Sequence, residues 1–209
     1  MKEFSINGSC ETMMLFRPAG AEKDRLFLVT RKFHAMILEV EADPNGKDFE
    51  IVTKAYGDVR DKIGKKSETG TIAVIDPESR VIGLRLYDSL FKVIPLEKDQ
   101  AELKAFNIRI EELQIYDIQF LYGTAQPTIA LIHQDLRGRH VKTHELSLKD
   151  KEFVKVPWKI DNVEIEAGCW DADTRPRPSW RRDHCGGGEH QSITYHENSI
   201  VRNRDQGKV

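Results

Sequence analysis

Three histidines crowded into one stretch, His133, His140 and His144, with Asp135 among them, are the residues best placed by type to do chemistry. An imidazole within reach of a carboxylate is the working unit of general acid–base catalysis. On an alternating strand His140 and His144 share one face, and Val141 and Thr143 share the other. No nucleophile elbow accompanies them and no paired carboxylates stand out. The expectation is therefore a protein that is not an enzyme. Arg139, His140 and Lys142 read instead as a polar strand face or turn that touches a partner, with a solvated edge as the plainer alternative. Trp158, following Pro157, is a packing anchor or, on a rim, an interaction hot spot.

Three other clusters are weaker. Cys169, His184, Cys185, His190 and His196 lack the paired spacing of a zinc knuckle, and adjacent His184 and Cys185 fit one tetrahedral ion poorly. Gly186-Gly187-Gly188 lacks the Lys-Ser/Thr and following helix of a phosphate-binding loop. The basic run Arg60–Lys66 is interrupted and flanked by Asp58, Asp61 and Glu68, which describes a solvated loop. No cofactor or metal is expected.

The elements that must position these residues read as strands. Leu26–Thr30 and Ala35–Val40 flank a polar step at Arg31–His34. Phe49–Lys54 follows a Pro44-Asn45-Gly46 turn. Thr71–Ile75 passes through Asp76–Ser79 into Arg80–Tyr87, and Leu90–Leu96 follows an Asp88-Ser89 turn. Ile115–Leu121, Thr128–His133 and Arg139–Leu148 come later. Short strands joined by polar turns describe an antiparallel meander. Asp99–Leu113 has some helical spacing, but the alternation of Phe106, Ile108 and Ile110 favours a strand after a loop. A strand–turn–strand phrase recurs from Leu26, Thr71 and Thr128, at irregular intervals that suit propeller blades. The fold expected is all-β: an incomplete β-propeller of three to four antiparallel four-stranded blades, WD40-like in architecture without WD motifs.

The chain has 209 residues, with 32 basic and 34 acidic side chains and a net charge of -2. A dedicated nucleic-acid binder carries a basic excess, which is missing here. No run of 18 apolar residues is present, so no membrane contact is expected. Three scattered cysteines fit a reducing compartment. After Ala167 the composition changes. Gly168–His190 holds two tryptophans, two prolines and four arginines with almost no aliphatics, too little to order by burial. The organisation expected is a partial propeller at 4–167, a divergent segment at 168–191, and a short strand (Ser192–His196) with a frayed tail at 192–209.

Several runs carry a resemblance. Pro77–Leu96 (PESRVIGLRLYDSLFKVIPL), Glu102–Arg109, Phe120–Gly123, Gly138–Thr143, Lys151–Phe153, Pro157–Lys159 and Asp161–Glu164 resemble the N-terminal propeller of the DNA damage-binding protein 1 family, which also includes splicing and polyadenylation factors. The match covers roughly residues 4–167, breaks at Gly168–His190 and returns at Ser192. A break between matching flanks implies a displaced reading frame. The resemblance implies three propellers and a helical domain, of which this chain would hold part of the first. It implies a non-catalytic adaptor of nuclear type-4 cullin ubiquitin ligases, found also in the cytoplasm. Its partners would be substrate-receptor proteins and the remaining propellers, with damaged DNA met only indirectly, in nucleotide-excision repair and protein turnover. The alternative is a nucleic-acid-binding scaffold like the splicing and polyadenylation members. An open ring leaves two edges with unpaired backbone groups, so the chain alone is expected to be aggregation-prone or only marginally folded.

Overall fold

The computed structural model describes residues 8–42, 48–98, 100–163, 193–196 and 199–202. The first blade is β1 (Cys10–Phe16), β2 (Arg25–Thr30), β3 (His34–Ala42) and β4 (Phe49–Asp58). The second is β5 (Ile72–Ile75), β6 (Val81–Tyr87), β7 (Leu90–Pro95) and β8 (Phe106–Arg109). The third is β9 (Gln114–Phe120), β10 (Thr128–Asp135), β11 (Gly138–Ser147) and β12 (Glu152–Val163). Within each blade the strands are paired antiparallel in chain order. A separate hairpin joins β13 (Ile193–His196) to β14 (Ser199–Arg202). No helix occurs among the described residues. The first strands β1, β5 and β9 lie beside one another, and β8 meets β12, so the blades stack as successive sectors of an incomplete propeller.

The burial of β6 explains how the sectors stack. All seven of its residues are buried. Ile82, Leu84 and Leu86 pack towards the first blade with Phe16, Phe27, Val29 and Ile37. Val81, with Val74, Phe91, Val93 and Ile108, packs towards the third blade with Ile115, Ile118, Phe120, Ile129 and Leu131. A strand apolar on both faces reads as a continuous hydrophobic run, and β6 must therefore be sandwiched. Burying each such side chain is worth about 1.5–3 kcal/mol. Glycines set how closely the layers meet. A Cβ on Gly83 would stand 2.3 Å from the Phe91 ring, and one on Gly57 would stand 2.6 Å from the Leu103 carbonyl oxygen.

Among the described residues, four turns hold a non-glycine residue in the left-handed region: Phe33, Ser79, Ser89 and Lys151. Such a conformation costs about 1–2 kcal/mol and persists only where the surroundings hold it. Phe33 is fixed by an edge-to-face contact with Tyr87, the ring centroids 5.4 Å apart.

The structure departs from the sequence reading in three places. The repeat aligned Thr71–Ile75 with Leu26–Thr30, but the equivalent strands begin at Arg25, Val81 and Thr128, because β5 is a first strand. β1 and β12 were not singled out. β14 falls in the stretch read as tail. The strand over Phe106–Arg109 is as expected, and the Pro44-Asn45-Gly46 turn lies outside the described residues. On the first blade's far side, Met13, Leu15, Val40, Phe49 and Ile51 form an exposed apolar face.

Candidate partner-binding surface

The hairpin turns and interblade connectors meet at one end of the blades in a hydrogen-bonded series. The Val59 amide donates to the Phe33 carbonyl, 2.9 Å, joining the β4–β5 connector to the β2–β3 turn. The Asp88 amide donates to the Lys65 carbonyl, 2.9 Å, and the Ile110 amide to the Ser89 carbonyl, 3.0 Å. Arg85, fully buried, donates to the Leu113 carbonyl at 2.7 Å and to the Ser67 and Thr69 hydroxyls at 2.5 Å, and pairs with Asp88 at 3.1 Å. Burial pushes its pKa down from the usual arginine value. Gln114 pairs with Gln134, which brings the β10–β11 turn to the end of the series.

The basic connector Arg60–Lys66 is more firmly held than a solvated loop. Asp61 Oδ1 accepts from the amides of Ile63 and Gly64, both at 2.9 Å. Asn107 donates to Asp61 Oδ2 at 2.8 Å and accepts from the buried Lys92 ammonium at 2.6 Å. Burial lowers the Lys92 pKa. Gly64 lies on Tyr87, whose ring carbons would be 2.7 Å from an added Cβ.

The sequence candidates separate onto two faces of the third blade. His133, His140, Lys142 and His144 face the second blade, as the pairs His133 with His140, Leu131 with Lys142 and Ile129 with His144 require. His133 and His140 are buried and stack with centroids 5.3 Å apart. His140 Nε2 lies 2.9 Å from Asp135 Oδ1. Lys142 donates to Glu112 at 2.6 Å, and His144 Nε2 stands 3.6 Å from the same oxygen. Burial acts to raise the Glu112 pKa, but His144 and Lys142 outweigh it and hold the carboxyl at about 2. Burial lowers the His133 pKa. Arg139 turns the other way: its guanidinium lies 4.3 Å from the Tyr116 ring centroid, and Tyr116 donates to Gln134 at 3.0 Å.

The solvated-edge reading of Arg139, His140 and Lys142 is thus corrected. β11 is an interior strand between β10 and β12. The second blade covers His140, and Glu112 engages Lys142. Trp158 is in β12, but its side chain lies outside the described residues, as do Gly186–Gly188 and the Cys169–His190 cluster. Glu112 was missed, because its contact with Lys142 spans 30 residues. Among the described residues no group of three or more His, Cys, Asp or Glu side chains is placed to hold a metal ion. The arrangement can fix charge and present a rigid surface.

Residues 1–169 match the family model of the RSE1/DDB1/CPSF1 first β-propeller. The chain is 52% identical over 167 residues to DNA damage-binding protein 1 of Drosophila melanogaster, a match covering 80% of this chain and 14% of that protein. It is 49% identical over 160 residues to DNA damage-binding protein 1b of Arabidopsis thaliana, covering 76% of this chain and 14% of that protein. It is 46% identical over 165 residues to DNA damage-binding protein 1 of Solanum lycopersicum, covering 78% and 15%. The chain thus spans about one seventh of the length of these relatives.

Proposed function

Because the chain belongs to the RSE1/DDB1/CPSF1 first β-propeller family, we propose that it is a non-catalytic adaptor module, a scaffold propeller that contributes to binding substrate-receptor proteins of a nuclear cullin–RING ubiquitin ligase. The observation that carries the reading is the 52% identity over 167 residues to a DNA damage-binding protein 1. The work of such a module is recognition between surfaces, and the anchored turns and connectors at one end of the blades suit it. The exposed apolar face of the first blade is the seat for a further blade of the same ring. In this role the chain serves damage recognition, nucleotide-excision repair and ubiquitin-dependent degradation, and meets damaged DNA through its receptor. The balanced charge favours this over a nucleic-acid scaffold.

Titration calorimetry of a purified damage-recognition receptor against the chain, alone and extended by the remaining blades of the ring, tests the proposal. Saturable one-to-one binding is expected of the extended form. Failure of both forms to bind any receptor overturns it.

A further inference from the structure

The end of the blades that carries the turns and connectors exposes aliphatic side chains on anchored backbone. Ile63 is 95% exposed although the chain around it is fixed on both sides by Asp61, Asn107 and Tyr87. Leu136 is 108% exposed at the tip of the β10–β11 turn. That turn is fixed by Asp135, which accepts from the Arg137 amide at 2.7 Å and lies 2.9 Å from His140. Leu113 is exposed on the β8–β9 connector, its carbonyl held by Arg85. An apolar side chain kept in water by an ordered backbone is already arranged for burial against something else, so little further ordering is needed on binding.

The charges at this end are unequally engaged. Asp58 is paired with Arg60, Glu68 with Lys65, Asp88 with Arg85 and Glu112 with Lys142, and Asp61 and Asp135 are held as described. Lys66 lies over the Phe33 ring at 5.3 Å. Among the described residues Lys32, Lys62 and Arg137 are exposed and enter no such pair, and the exposed Glu111 enters none either. Each fully exposed aliphatic has a cation next to it in the chain, Lys62 beside Ile63 and Arg137 beside Leu136.

We infer that this end is a docking rim for a protein segment whose apolar side chains are flanked by carboxylates, with Ile63 and Leu136 as the inserting side chains and Lys32, Lys62 and Arg137 as the charge partners. The inference deepens the adaptor reading and rests on it. Aliphatic tips offer no ring on which a base stacks, so the occupant is protein and not nucleic acid.

Two probes test it: a purified damage-recognition receptor, and a synthetic amphipathic peptide of leucine and glutamate with a leucine–lysine peptide as its control. Fluorescence anisotropy measures binding to the ring-extended chain and to its Ile63→Asp/Leu136→Asp and Lys62→Glu/Arg137→Glu variants. Glu22→Lys, in the β1–β2 loop, serves as a surface control. All substituted side chains are exposed, and unchanged circular dichroism verifies folding. Binding of the leucine–glutamate peptide over the leucine–lysine peptide is expected. The aspartate pair should weaken both probes about 30-fold. The glutamate pair should weaken them about tenfold, mainly through association rate. A receptor that binds all variants alike overturns the rim and leaves the adaptor reading standing. Equal peptide binding by the parent and the aspartate variant also overturns it. Loss of receptor binding in every form, with peptide binding kept and sensitive to both pairs, supports the rim and refutes the adaptor reading.

Discussion

The two seams that hold the second blade differ in kind. The first seam, towards the first blade, has an apolar interior closed by the Phe33–Tyr87 contact and by Leu103 lying on Gly57. The second, towards the third blade, has an apolar interior of similar make-up, but its end is occupied by His133, His140, Lys142 and Glu112. Apolar burial has no preferred partner and brings any two such faces together. A buried charge tolerates only a neighbour that satisfies it. The difference teaches that stacking energy comes from the apolar interiors, while the second seam adds a condition on which face it accepts and at what pH.

The comparison breaks most severely in the interiors. Phe91 is fully buried, covers Gly83 and contacts Phe153 at 5.6 Å between centroids. Phe91→Ala should destabilise the second seam by about 3–5 kcal/mol. Gly57→Val strikes the first seam, where the added carbons meet backbone atoms of Leu103 that cannot rotate away. It should cost about 1–3 kcal/mol through overpacking. Urea unfolding followed by tryptophan fluorescence and amide exchange measures both. The amides of β9–β11 should lose protection first in the former variant and those of β2–β4 in the latter. Uniform loss of protection in both would show that the seams are not separate units.

Much of this contrast was legible from the residues, and the remainder was not, for definite reasons. Strands bounded by tight turns, such as β6 and β7 around Asp88-Ser89, announce themselves locally. So does the sharing of a face by His140 and His144, which needs only alternation. β1 escaped because Met13 and Leu15 lie on the exposed side, so its pattern lacks the polar half of an ordinary surface strand. Burial of His140 and Lys142's engagement depend on Glu112 and on the second blade, and no local pattern encodes a neighbour brought in by stacking. The rim was hidden for the same reason. Arg60–Lys66 reads as a polar loop until Asn107 and Tyr87 are seen to anchor it.

A smaller effect separates the seams by charge. Glu112→Gln keeps the side chain's shape and removes its charge. Lys142 is partly exposed and can turn its ammonium to water, so the cost should be about 1–3 kcal/mol at neutral pH. Its pH dependence follows from direction. The folded carboxyl titrates at about 2, below its ordinary 4.5, so its contribution is complete above pH 4.5 and fades as pH falls towards 2. The His133 pKa is depressed below 6.5, so the unfolded chain takes up its proton first and stability also drops as pH falls below 6.5. Unfolding midpoints from pH 8 to 3 should show parent and variant falling together near pH 6, then converging below 4.5. A constant gap throughout would refute the role given to Glu112.

The finest distinction lies at the opposite end, where one turn tethers both seams. Ser79 donates to the Arg17 carbonyl of the first blade at 2.7 Å. Arg80 donates to the Thr124 and Ala125 carbonyls of the third at 3.1 and 3.0 Å, while its guanidinium chelates Asp76. Ser79 is in the left-handed region, with φ 56°. Ser79→Ala keeps that strain and leaves the Arg17 carbonyl without its donor, so it should cost about 0.5–1.5 kcal/mol. Ser79→Gly loses the same bond but relieves a backbone that costs a side-chain-bearing residue about 1–2 kcal/mol, so the two effects nearly cancel. Thermal unfolding of the two variants side by side measures the difference. If glycine is as damaging as alanine, the left-handed backbone carries no strain, and the loss common to both variants is the worth of the bond to Arg17 in closing the first seam.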